Sequence, residues 1–150
     1  MAKYKVLEKY KRKLKALKPI RVGVPAAAGS DDGVKIAVYA AAHEFGSTKM
    51  NIPERSFLRT GIKNTQPKAK LLYQQHMPDY MAGEMSAKAL QSMLGELAVG
   101  EVTDMIDSNI QPKLSEEYRE RKEKDLGTTS LINLRYHGTM ANSIIYEIKK

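Results

Sequence analysis

A chain of 150 residues is long enough to bury a core of its own, and without a single cysteine it has no disulfide, thiolate metal site or cysteine nucleophile. Its formal net charge of +8 sits at one end: residues 1–21 carry nine of the 25 basic side chains and one of the 17 acidic ones, so residues 22–150 balance to zero. A neutral body with a basic arm differs from a uniformly basic nucleic-acid-binding domain, and no run approaches the ~18 apolar residues of a membrane span.

The expected organisation is one domain over 1–150, with a basic helical arm (1–18) and an α+β body (19–150). No apolar stretch of the kind found in a secretory signal follows the basic start. Residues 4–18 predict an amphipathic helix: Leu7, Tyr10, Leu14 and Leu17 form one stripe, lysines fill the other faces, and Pro19 stops it. Such a helix either docks through its Leu/Tyr stripe or grips an acidic protein, DNA phosphate or a neighbouring subunit. Lys5, Lys9, Lys11, Arg12, Lys13 and Lys15 are its candidate electrostatic contacts.

Alternation of Ile20, Val22 and Val24 predicts a strand over 20–25. The small and acidic residues of 26–33 predict a turn. Val34, Ile36 and Val38 predict a second strand over 34–40, hairpinned antiparallel to the first. Residues 41–46, "AAHEFG", suit one helical turn closed by Gly46.

A helical stretch is expected within 57–80, with Pro67 in a first turn and Pro78 disturbing the far end. The broad apolar stripe of 86–110, from Leu90 to Ile106, predicts the best helix, capped by Ser86. Gly95 and Gly100 cost it about 1 kcal/mol each relative to alanine, which is tolerable where another backbone must come close. Residues 115–125 predict a short charged helix capped by Ser115, 126–140 a loop, and 141–149 a last strand with Ile144, Tyr146 and Ile148 on one face. The sum is α+β: a small antiparallel sheet (20–25, 34–40, 141–149) packed against long helices.

Catalytic chemistry finds little footing. A zinc-binding helix needs two imidazoles one turn apart, and after His43-Glu44 the second is missing. His76 and His137 have no ligand-like neighbours, and neither a nucleophile elbow nor a phosphate-cradling glycine loop is present. No metal, cofactor or catalytic residue is expected. An enzyme acting through His43-Glu44 ranks last. A small nucleic-acid-binding protein led by the basic helix, with Tyr4 and Tyr10 stacking on bases, is the alternative of a different class.

Three segments carry a resemblance: "AAHEFGSTKMNIPERSFLRTGI" (41–62), "IQPKLSEEYRERK" (110–122) and "SLINLRYHGTMANSIIYEI" (130–148). The first has a strand running into His-Glu-Phe-Gly, a variable loop, then Ile-Pro-x-Arg-x-Phe-Leu-Arg. In this order the three segments resemble the virion morphogenesis proteins of tailed bacteriophages, the tail-completion, neck or head–tail joining proteins. The resemblance implies a non-enzymatic structural subunit that forms a ring, expected to be a hexamer, at the head–tail junction. Its implied partners are its own copies, the head-side connector or adaptor, and tail tube or tail terminator proteins. Contact with DNA in the channel is a further expectation, contact with membrane is not. The implied location is the virion neck or tail, and the host cytoplasm during assembly.

A ring needs two complementary patches per subunit. Arg55, Phe57, Arg59, Glu44 and His43 are the candidate contacts. Arg55 and Arg59, four residues apart, suit carboxylates. Arg55 pairing with Glu44 inside the subunit is an equal alternative, Phe57 and Leu58 also suit core anchors, and His43 a hydrogen-bonded corner.

Overall fold

The computed structural model describes residues 2–31, 33–127, 134 and 138–149. In chain order these form α1 (Ala2–Ala16), β1 (Ile20–Gly23), β2 (Ser30–Asp31), β3 (Val34–Lys35), α2 (Ile36–Phe45), α3 (Phe57–Ala82), α4 (Ala87–Asp107), α5 (Glu116–Leu126), α6 (Thr139–Asn142) and β4 (Ile145–Ile148). The α+β class is as expected. The expected loop positions 128–133 and 135–137, with His137, lie outside the described residues.

The frame is the α3–α4 hairpin. α3 has 26 residues, about 39 Å at 1.5 Å per residue. Pro67 and Pro78 both lie inside it rather than at its ends, on the exposed face, where water can satisfy the carbonyls that proline leaves free. Gly83, at φ 99°, ends α3, and the Ser86 hydroxyl opens α4 by accepting from the Ala89 amide at 3.0 Å. The helices come close at Gly61, where a Cβ would fall 2.6 Å from Val102 Cα.

Glycine thus has the role expected in a helix interior, at a position the sequence did not single out. Of the two that it did, Gly95 admits the Tyr146 ring, 2.3 Å from where a Cβ would stand, and Gly100 faces open space. A lysine–glutamate pair, Lys68–Glu101, also ties α3 to α4.

β4 lies over α4 and pairs antiparallel with β1, in the register Ile20↔Ile148 and Val22↔Tyr146. The C-terminal strand is therefore β1's neighbour, in place of the expected hairpin partner at 34–40. Strand structure there is confined to Val34–Lys35, which pairs with Ser30–Asp31, and Ile36 begins a helix. The reason lies in Ala37, Ala40, Ala41 and Ala42, strong helix formers, and in burial at Ile36, Ala40, His43 and Glu44, a helical spacing. The alternation of Val34, Ile36 and Val38 is coincidental, since Val38 is exposed. The last strand is likewise shorter than expected, beginning at Ile145 after the turn of α6.

The core is built from Ile36, Ala40, Phe57, Val102, Ile106, Leu134, Met140, Ala141 and Ile144. Burial of such side chains is the main drive to fold. Among the described residues, the hydrogen bonds that tie α1 to this body lie at its C-terminal end. Lys13 Nζ donates to the Tyr80 carbonyl and the Tyr80 hydroxyl donates to the Lys13 carbonyl, both at 2.6 Å, while Gln91 Nε2 donates to the Lys18 carbonyl at 2.6 Å. Of the expected stripe, Leu7, Tyr10 and Leu14 are exposed instead of docked, while Leu17, just past the end of α1, is half-buried.

Candidate interaction site

The corner between α2 and α3 is organised by one buried carboxylate. Glu44, in the last turn of α2, reaches the first turn of α3, whose N-cap residue Ser56 makes no side-chain cap. Glu44 Oε2 accepts from the Leu58 amide at 2.7 Å, and Oε1 from the Arg59 amide at 3.1 Å and the Ser56 hydroxyl at 2.9 Å. A helix start leaves amide donors unsatisfied and carries partial positive charge. Glu44 meets both needs from another helix.

Arg59 closes over the same carboxylate. Its Nε donates to Glu44 Oε1 at 2.7 Å, and its Nη2 to the Glu44 carbonyl at 2.9 Å and to Glu54 at 2.7 Å. The bonds to Glu44, then Glu54, hold the Arg59 pKa above its ordinary value. The guanidinium lies 5.0 Å from the Phe45 ring centre, and that ring is 65% exposed. Phe45 and Arg59 thus form an outward-facing cation–π pair on a buried support.

The intervening loop is pinned at both ends. Gly46 adopts φ 74°, and a Cβ there would sit 3.0 Å from the Glu54 amide nitrogen. Ser47 and Ile52 exchange backbone hydrogen bonds at 2.8 and 2.9 Å. Arg55 then enters the interior. Its amide donates to the His43 carbonyl at 2.7 Å, and its guanidinium to the carbonyls of Pro112 at 3.0 Å and Lys113 at 3.3 Å. Burial lowers the Arg55 pKa.

Arg55 therefore pairs neither with Glu44 nor outward, and Arg59 takes the carboxylate. Phe57 is a buried core anchor. His43 is a corner residue through its backbone only. Neither ring nitrogen has a hydrogen-bond partner among the described residues, and the ring stands edge-on to Tyr39, centroids 4.4 Å apart. Burial first, then the Arg55 charge, lowers the His43 pKa to about 4, so the imidazole is neutral near pH 7. It borders a pocket of about 330 Å³ shared with Tyr39, Arg55, Leu114 and Tyr118.

Of the five expected contact residues, Arg59 alone is exposed. The other four lie inside the chain. Sequence reasoning missed Phe45 and Glu54 as the companions of Arg59. No local spacing links Glu44 to Arg59, but Tyr39 and His43 are one turn apart and would have been paired had α2 been read as a helix.

Among the described residues no group of three or more His, Cys, Asp or Glu can hold a metal ion, and no helix is long and apolar enough to cross a membrane. On α1, Lys13 is committed to Tyr80 and Lys11 pairs with Glu8 at 3.1 Å. Lys5, Lys9, Arg12 and Lys15 are exposed. No family model, curated protein or solved structure matches the chain.

Proposed function

We propose that the chain is a structural subunit of a tailed-phage neck, a ring-forming tail-completion protein that joins the head connector to the tail. The reading rests on the three-part resemblance. The observation that carries it is that those segments meet in space. Arg55, from the first, binds the Pro112 and Lys113 carbonyls of the second, and Phe57, also from the first, lies in one core cluster with Met140, Ala141 and Ile144 of the third. Segments that hold one another in place behave as parts of one architecture.

The surface suited to a subunit contact is then the Phe45–Arg59 pair, an aromatic and an arginine on a rigid base, the residue types that dominate interface energetics. Its support comes from Glu44, which fixes Arg59 before any partner arrives, so little ordering is left to binding. The function needs no chemistry at His43-Glu44, because Glu44 is spent on the α3 amides.

The test is the mass of the purified chain in solution by light scattering and native mass spectrometry, followed by mixing with purified connector particles and tail tubes. The expected result is a closed oligomer, or a monomer that becomes a ring on one of those two. A persistent monomer that binds neither refutes the proposal.

A further inference from the structure

We infer that the exposed face of α1 is a docking strip for an acidic amphipathic helix of a partner protein. Along α1 the exposures are 77% for Tyr4, 51% for Val6, 49% for Leu7, 43% for Tyr10 and 52% for Leu14. At 3.6 residues per turn Val6, Leu7, Tyr10 and Leu14 share one side of the helix over residues 6–14, and Tyr4 stands at its edge, beyond Lys11. An apolar strip on a helix whose other faces are charged normally meets a partner surface.

Charge decides what kind of surface. On the helical wheel the strip is bordered by Lys9 on one side and by Lys15 on the other, beside Lys13, which is held by the Tyr80 carbonyl, and Lys11, which pairs with Glu8. This is the layout of a two-helix seam, apolar in the middle with charged flanks that select the partner by opposite charge. The complement is a helix with an apolar stripe between two rows of Glu or Asp. A second copy's α1 is a poor occupant, because it would set lysine rows against lysine rows. Duplex DNA would use the lysines but would leave Val6, Leu7 and Leu14 without a role. For a lipid surface the strip is short, and α1 has no Phe or Trp, the residues that anchor interfacial helices together with Leu.

The strip is also prepared for binding. The reciprocal Lys13–Tyr80 bonds and the Gln91–Lys18 bond hold the far end of α1 on α3 and α4, so the helix is presented from a fixed root. Pre-ordering of this kind lowers the entropy cost of association. The inference is independent of the ring proposed above, since a monomer bears the same strip.

The test uses the full chain and a labelled three-heptad peptide with Leu at the seam and Glu at both flanks, read by fluorescence anisotropy. A matched peptide with Lys at the flanks, vesicles of phosphatidylcholine with phosphatidylglycerol, and a short DNA duplex are measured beside it. The Leu/Glu peptide is expected to bind at least about tenfold more tightly than its Leu/Lys counterpart, with affinity falling as salt rises. Replacing Leu7 and Leu14 together with Gln, and separately Lys9 and Lys15 with Glu, should each weaken binding about tenfold or more. Circular dichroism should show both doubly substituted chains as helical as the parent. Equal affinity for the two peptides, no binding of the Leu/Glu peptide, tighter binding to vesicles or duplex, or indifference to both double substitutions would overturn the inference.

Discussion

Replacing Glu44 with Ala removes the acceptor at the start of α3, and the structure sets the size of the effect. Two backbone amides, Leu58 and Arg59, and the Ser56 hydroxyl lose their partner at once. Loss of a helix N-cap costs about 1 kcal/mol and up to about 2. A carboxylate at a partly buried helix start adds up to about 2 kcal/mol through the helix dipole. The ion pair to Arg59 adds little, because that side chain is exposed. Together Glu44→Ala should cost about 3 kcal/mol. At a urea dependence near 2 kcal/mol per molar, that lowers the midpoint by about 1.5 M. Glu44→Gln keeps an acceptor for the Ser56 hydroxyl and the Arg59 amide but removes the charge and turns its NH₂ toward the Leu58 amide, so it should recover only part of the loss. Arg59→Ala should move the midpoint far less than either. The assay is equilibrium urea unfolding followed by circular dichroism. A loss below about 1 kcal/mol for Glu44→Ala, or an Arg59→Ala loss as large, would refute the capping argument.

Three further outcomes are expected. Gly61→Ala and Gly95→Ala should each destabilise by about 1–3 kcal/mol through overpacking, while Gly100→Ala, with open space around it, should stabilise by about 0.5–1 kcal/mol; thermal unfolding of the three variants checks the order. His43 has a folded pKa of about 4 against an ordinary 6.5, so the unfolded chain takes up the proton first. Its contribution is fully present above about pH 6.5 and is lost as pH falls toward 4, by up to about 3 kcal/mol; urea midpoints across that window should drop in the parent and flatten in His43→Phe. Phe45→Ser should leave the unfolding midpoint nearly unchanged, because the ring is exposed, and on the proposed ring reading should weaken the subunit contact, measured by sedimentation.

Long helices were legible because their signals are local. Ser86 and Ser115 do cap α4 and α5, and the Leu90–Ile106 stripe does face the core. α2 was half legible: its last turn, closing at Gly46, was expected over 41–46, but its first half was hidden because Val34, Ile36 and Val38 imitate a strand while the alanines that decide for helix have no periodic signature. Pairing of β1 with β4 was half legible: the terminal strand was foreseen in the sheet, but a false strand at 34–40 occupied its place beside β1. At the corner, Phe57 as a core anchor was readable from its type. The exchange by which Arg59 rather than Arg55 takes Glu44 was not, since it depends on where α3 begins and on carbonyls near residue 112.

The β1–β4 ladder joins residues 20–23 to residues 145–148, and this orders events during synthesis. The α3–α4 hairpin makes its contacts between neighbours in the chain, and such local contacts form early. β1 emerges from the ribosome before α2, α3, α4, α5 and α6, and waits through the synthesis of all of them for its partner β4. Through that interval its edge is an open ladder of amides and carbonyls, and the Tyr146 ring has not yet covered Gly95 on α4. Closure of the sheet is therefore a late step, and a nascent chain stalled before residue 145 carries a formed helical hairpin with an unpaired strand beside it.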